Sequence, residues 1–147
     1  MFKNILVPTD GSELSESTVS RAISFAKDAD AKIVFFYAQP DFPTPIYGEG
    51  ALFDPTTPEQ FSRAAAAEAE KILAKSKSAA EAGGVAAESD TVVSEVPYEA
   101  IIAAAERNAC DLIFMASHGR RGLSGLLLGS ETQKVLTHSK IPVLVYR

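Results

Sequence analysis

Met115-Ala116-Ser117-His118-Gly119-Arg120-Arg121-Gly122-Leu123-Ser124-Gly125-Leu126-Leu127-Leu128-Gly129-Ser130 is the stretch that decides how this chain of 147 residues is read. The apolar run Asp111-Leu112-Ile113-Phe114 before it predicts a buried strand. Glu131-Thr132-Gln133-Lys134-Val135-Leu136 after it predicts the opening of a helix. A strand, a glycine loop and a helix start bring open backbone N–H groups and the positive end of a helix dipole to one point, which suits an anion. Gly119 and Gly129 can reach positive φ and let a ligand approach the backbone closely. Ser130 and Gln133 have the spacing of a capping box; alternatively, the Ser130 hydroxyl is offered to a phosphate. The stretch therefore reads as a phosphate cradle, although a plain surface turn fits the loop on its own. It is not a Walker A loop, since no Gly-Lys-Ser/Thr follows the required gap, and Gly119, Gly122 and Gly125 are spaced too evenly for GxGxxG. Gly122-Leu123-Ser124-Gly125 falls one residue short of a nucleophile elbow.

Working outward, strands and helices alternate along the whole chain. Lys3 to Pro8 predicts a first strand through Ile5-Leu6-Val7, a continuous apolar run typical of a sheet covered on both faces. Asp10 and Glu13 resemble an N-cap pair, with Ser12 a second cap candidate, and a helix is expected from about Ser12 to Ala29. Its buried stripe is Val19, Ala22, Ile23 and Ala26. Lys32 to Ala38 predicts the next strand. Thr57-Pro58-Glu59-Gln60 opens a helix with a cap, a proline at the first position and Gln at the third. Its inner stripe is Phe61, Ala65, Ala69, Ile72, Ser76 and Ala79, and Gly83-Gly84 ends it. A strand lies within Val85 to Val96, and Pro97 opens a helix with Tyr98, Ile101, Ile102, Ala105 and Ala109 on one face. Asp111–Ala116 follows, then the glycine loop, a last helix to about Ser139 and a strand over Pro142-Val143-Leu144-Val145-Tyr146.

The order β-α-β-α-β-α-β-α-β implies an α/β fold: an open, doubly wound parallel sheet of five strands with helices on both faces. Ligands of such sheets bind beyond the carboxyl ends of the strands, where the winding reverses. With the first and fourth strands as neighbours there, Asp10 and Gly119–Ser130 line one crevice. Residues 39–57 break the alternation, and five of the eight prolines lie from Pro40 to Pro58. A loop of that length is usually a lid, a binding loop or disordered. Phe42, Ile46, Tyr47, Leu52 and Phe53 predict that part of it packs on the domain or on a partner.

Composition narrows the function classes. The length suits a single domain over 1–147 with a real core. A net charge of −5 and a pI near 5.0 argue against non-specific nucleic-acid binding. No apolar run reaches the ~18 residues of a membrane span, and the apolar start is too short for a signal peptide. Cys110 is a single cysteine, read as a packed thiol in a reducing compartment, so a cytoplasmic location is expected.

These residues resemble the universal stress protein family over essentially the whole chain. Asn4-Ile5-Leu6-Val7-Pro8-Thr9-Asp10-Gly11-Ser12, Ser117-His118-Gly119 with nine residues before Gly129-Ser130, and Ile141-Pro142-Val143-Leu144-Val145 carry the resemblance. It implies a sheet of order 3-2-1-4-5, a crevice for an adenine nucleotide and a homodimer through the last strand. The ATP-binding branch carries Gly-x-x-Gly-x9-Gly-Ser/Thr; here Ala116 stands at the first glycine. By that resemblance Pro8, Thr9, Asp10 and Ala38 face the adenosine, and Met115, Ala116 and Gly119 border ribose and phosphates. Gly129, Ser130, Glu131 and Thr132 hold phosphates from the helix start. The Glu131 carboxylate suits the helix dipole yet repels a triphosphate unless it turns away.

His118 is either a phosphate contact or a hydrogen-bonded residue that orients the loop. Arg120 and Arg121 are either forked phosphate donors or a solvated pair. His138 lies near a helix C-terminus, where a donor is favourable. Neither a metal-ligand cluster nor a nucleophile–base pair is present in the pattern. Mg²⁺, where it accompanies ATP, ADP or AMP, is held by the phosphates and water. No general base for ATP hydrolysis can be named. The residues predict a nucleotide-binding regulatory module read by an unknown protein partner, and the resemblance implies a stress-response role for it. The alternatives are a dimeric interaction protein that binds no ATP, suggested by Ala116 and Glu131, and a nucleotidyl-transfer enzyme, whose phosphate-handling His and Lys motifs are missing. A dimer through Ile141–Tyr146 follows from an apolar terminal strand that invites pairing.

Overall fold

The computed structural model describes residues 1–43, 57–118 and 127–147. The elements are β1 (Asn4–Pro8), α1 (Glu13–Ala29), β2 (Lys32–Gln39), α2 (Pro58–Ala82), β3 (Ala87–Val93), α3 (Pro97–Arg107), β4 (Leu112–Ala116), α4 (Ser130–His138) and β5 (Val143–Tyr146). The five strands form one sheet in the order β3-β2-β1-β4-β5, and every neighbouring pair is parallel.

Alternation of side chains divides the core into two layers. Ile5, Val7, Ile33, Phe35, Leu112 and Phe114 point to the face covered by α1 and α2, against Val19, Ala22, Ile23, Ala69, Ile72 and Leu73. Leu6, Val34, Phe36, Ile113 and Met115 point to the other face, against Ala100, Ile101, Ala104 and Ala105 of α3 and Val135 of α4. Both faces of β1 are therefore buried, which is why Ile5-Leu6-Val7 is continuous rather than alternating. The winding reverses between β1 and β4.

Local signals set most helix ends. Thr57 caps α2 by accepting from Gln60 N, and the Gln60 side chain accepts from Thr57 N, so the capping box forms as expected. Gly83 closes α2, and a Cβ there would lie 2.7 Å from Ile23 Cγ2; close packing, not a turn, demands that glycine. The α2 stripe holds through Ser76 and then departs from the expectation. Leu73 and Ala80 are buried and Ala79 is exposed, because a step of four from Ser76 follows the 3.6-residue period better than a step of three. Ala109 is likewise not on the inner face of α3. It lies exposed beyond the helix end with φ 51. Near the start of the 39–57 stretch, Phe42 packs edge-on against Phe61, with ring centroids 5.5 Å apart. Ile46, Tyr47, Leu52 and Phe53 lie outside the described residues. No described helix is long and apolar enough to cross a membrane.

Candidate functional site

The expected site is the place where β1 and β4 part. The register between them covers only Ile5↔Leu112 and Leu6↔Ile113, whereas β1 and β2 pair over five positions from Asn4↔Lys32 to Pro8↔Phe36. Beyond this short ladder the carboxyl ends of the two strands carry Thr9-Asp10 on one side and Ala116-Ser117-His118 on the other. β2 continues three residues past the last pairing with β1, so half-buried Ala38 forms part of the adjoining wall. Pro8, the last residue of β1, is half-buried and has no N–H.

The β1–α1 turn is held by its own polar groups. Thr9 is buried; its N–H donates to Phe36 O at 2.8 Å and its hydroxyl lies 2.6 Å from Ser15 Oγ. Ser15 Oγ also accepts from Asp10 N at 3.1 Å. The helix cap is Ser12, which accepts from Ser15 N, not an Asp10–Glu13 pair. Asp10 Oδ1 instead accepts from Ser12 N at 2.9 Å, an Asx turn that positions the cap. One carboxylate oxygen of Asp10 is thus given to the turn. Ser15 was not foreseen in this role, since a serine inside a helix carries no local mark of a partner on the preceding strand.

On the opposite side α4 starts against the end of β4. Gly129 N donates to Ser117 O at 2.7 Å, and a Cβ on Gly129 would lie 2.9 Å from His118 Cα. Gly129 has φ −61 and ψ 152, so it does not use the positive φ open to a glycine; the glycine is required by close approach of two protein segments. Gly129 is also the N-cap, without a side-chain bond, and the Ser130–Gln133 capping box does not form. Ser130 is the first helical residue and is exposed, while Gln133 Nε2 donates to Leu128 O at 2.9 Å. Ser117 is buried, donates its N–H to Tyr146 O and lies 3.0 Å from His118 Nδ1 through its hydroxyl. His118 therefore has the partner of a residue that orients the loop.

Thr132 is buried and its hydroxyl donates to Ala116 O at 3.0 Å. Its side chain is a strut to β4, which leaves only its N–H for a ligand. Met115 is also withdrawn: its side chain packs in the α3–α4 core layer. Ala116 is the last residue of β4 and is not among the described residues with positive φ, so no backbone strain falls on the alanine that replaces a glycine. Glu131 turns away from the crevice. Its Oε2 accepts from Tyr98 N at 2.8 Å and its Oε1 is 3.2 Å from Lys134 Nζ. The carboxylate thus sits at the first turn of α3, and Tyr98, 33 residues earlier in the chain, is the partner that sequence spacing did not reveal.

The N–H groups of Ser130, Glu131 and Thr132 belong to the first turn of α4 and have no helical carbonyl a turn before them. They stand at the positive end of the helix dipole beside the carboxyl end of β4. Gly119, Arg120 and Arg121 lie outside the described residues. Among the described residues no group of three His, Cys, Asp or Glu side chains is placed to hold a metal ion.

Residues 1–147 match the model of the universal stress protein family. Universal stress protein MJ0531 of Methanocaldococcus jannaschii is 33% identical over 150 residues, covering all of this chain and 83% of that relative. The solved structure of MJ0577 from the same organism has a TM-score of 0.79 at 29% identity, covering 99% of this chain and 95% of that one. A universal stress protein solved in complex with cAMP has a TM-score of 0.71 at 27% identity, covering 99% and 97%. By sequence and by fold, this chain belongs to the universal stress protein family.

Proposed function

We propose that the chain binds an adenine nucleotide, ATP, ADP or AMP, in the crevice between the carboxyl ends of β1 and β4, and acts as a nucleotide-dependent regulatory module. One observation carries this reading: the first turn of α4, beside the carboxyl end of β4, has three N–H groups with no helical carbonyl before them, while its own carboxylate, Glu131, is held by Tyr98 N and Lys134. An anion placed there meets backbone donors and a favourable dipole, with the Glu131 carboxylate bonded elsewhere. The relative solved with cAMP has an adenine-nucleotide ligand on a similar fold, which supports the same ligand class here. Asp10 and Ala38 border the adenosine end, and Ser130, Glu131 and Thr132 contribute backbone N–H groups to the phosphates. Mg²⁺ in this arrangement is carried by the phosphates. The unit spans residues 1–147, works in the cytoplasm and pairs with a second copy through Ile141–Tyr146.

Gly129 favours the alternative of an interaction protein without nucleotide, because its N–H is already satisfied by Ser117 O. Calorimetry separates the two. Saturable heat with ATP or AMP, together with a thermal shift, is expected of the nucleotide module. Absence of both at millimolar ligand, with and without Mg²⁺, leaves the interaction protein.

A further inference from the structure

The opening turn of α4 is fixed from two sides. Thr132 ties it to β4 through Ala116 O, and Glu131 ties it to α3 through Tyr98 N. α3 needs that second bond. Its N-cap is Val96, which offers no side-chain acceptor, and Pro97 follows at the first helical position. The Glu131 carboxylate is therefore the cap of a neighbouring helix, supplied across the gap between α3 and α4. Lys134 holds the other carboxylate oxygen, and its ammonium stands 5.5 Å from the Tyr98 ring centroid. The Tyr98 ring in turn lies 5.3 Å from that of His138, so α3 and α4 are clasped along the length of α4. Val93, the last residue of β3, and Val96, the cap of α3, are 57% and 40% exposed at the two ends of the connection that leads into α3.

We propose that Glu131 is a positioning residue: it couples occupancy of the first turn of α4 to the start of α3 and to the exposed Val93–Val96 connection. This rests on the nucleotide reading above. A ligand that orders the turn of α4 strengthens the Glu131–Tyr98 bond, and by linkage a firm bond strengthens ligand binding. The alternative role, a carboxylate that merely repels phosphate, has the opposite sign in the same measurement.

The test compares wild type with Glu131→Gln and Glu131→Ala, using AMP and ATP as probes in calorimetry and following exchange of the Tyr98 amide by NMR. Glutamine keeps an acceptor oxygen for Tyr98 N and removes the charge, so it binds at least as tightly as wild type. Alanine removes the clasp, and binding weakens roughly five- to tenfold. Nucleotide slows Tyr98 exchange in wild type and in E131Q but not in E131A. Binding by E131A as tight as that of E131Q overturns the proposal, as does Tyr98 exchange in wild type that ignores bound nucleotide. Should E131A fail to fold, exchange in wild type and E131Q decides. Failure of wild type to bind either nucleotide strikes the nucleotide reading itself, and the coupling falls with it.

Discussion

Replacing Gly129 by alanine separates a glycine kept for a ligand from one kept for the fold. The backbone at φ −61, ψ 152 accepts alanine without torsional strain, so the effect comes from the added methyl group alone. That methyl would lie 2.9 Å from His118 Cα, 3.0 Å from His118 Cβ and 3.3 Å from Ser117 O. Carbon atoms rest at about 3.5–4.0 Å, and the nearest atom belongs to the backbone, so no rotamer relieves the overlap. Gly129 must lift away, which stretches its 2.7 Å bond to Ser117 O. Overpacking costs about 1–3 kcal/mol and the hydrogen bond about 1 kcal/mol. The stiffer unfolded chain returns about 0.4–1 kcal/mol. A net loss of about 1–3 kcal/mol is expected, or roughly 3–9 °C in Tm for a chain of this size. Urea unfolding followed by circular dichroism, in protein stripped of nucleotide, gives the value. Stability within about 0.5 kcal/mol of wild type would refute the close-approach account of this glycine.

Three further outcomes are expected. Ala109→Gly relieves a φ of 51 at an exposed position where no packing is lost, and raises stability by about 1 kcal/mol in the same unfolding assay. Burial, reinforced by the neighbouring Asp111 charge, pushes the Cys110 thiol from its ordinary 9.0 up to about 11. The folded thiol holds its proton longer than the unfolded one, so this group leaves stability unchanged below pH 9.0 and lowers it as pH rises towards about 11. Cys110→Ala removes that slope, and native Cys110 is alkylated much more slowly than the unfolded chain. Ile113 N donates to Pro142 O and Ser117 N to Tyr146 O, so the intervening main-chain groups of Val143 and Val145 face the open edge of the sheet. Light scattering is expected to give the mass of two chains for wild type and of one chain for a folded Val145→Pro variant; a wild-type mass of one chain counts against the edge-strand dimer.

The elements themselves were legible because local chemistry determines them. Ile5-Leu6-Val7 and Ile33-Val34-Phe35-Phe36 announce strands buried on both faces, and Thr57-Pro58-Glu59-Gln60 announces a helix start that forms as written. Strand order has no such local signal, and the order 3-2-1-4-5 came from resemblance; the sheet has that order. Legibility fails where the deciding partner is distant in the chain. Nothing near Glu131 marks Tyr98 as its acceptor's donor, and nothing near Gly129 shows that His118 will lie against it. Thr132 and Met115 look available in sequence, yet one hydroxyl is bonded to Ala116 O and the other side chain is packed in the core. For Ser130, a capping-box spacing was overruled because α4 begins one residue earlier than the box requires, with Gly129 at the cap.

Backbone amides at the start of α4 are the centre of this account, and their response to ligand tests it most directly. Wild-type protein labelled with ¹⁵N is titrated with ATP and with AMP, following the amides of Ser130, Glu131 and Thr132. Saturable shifts at these three amides, with a common Kd, are the expected result. Amides that stay in place at millimolar nucleotide, or shifts confined to other parts of the chain, would contradict it.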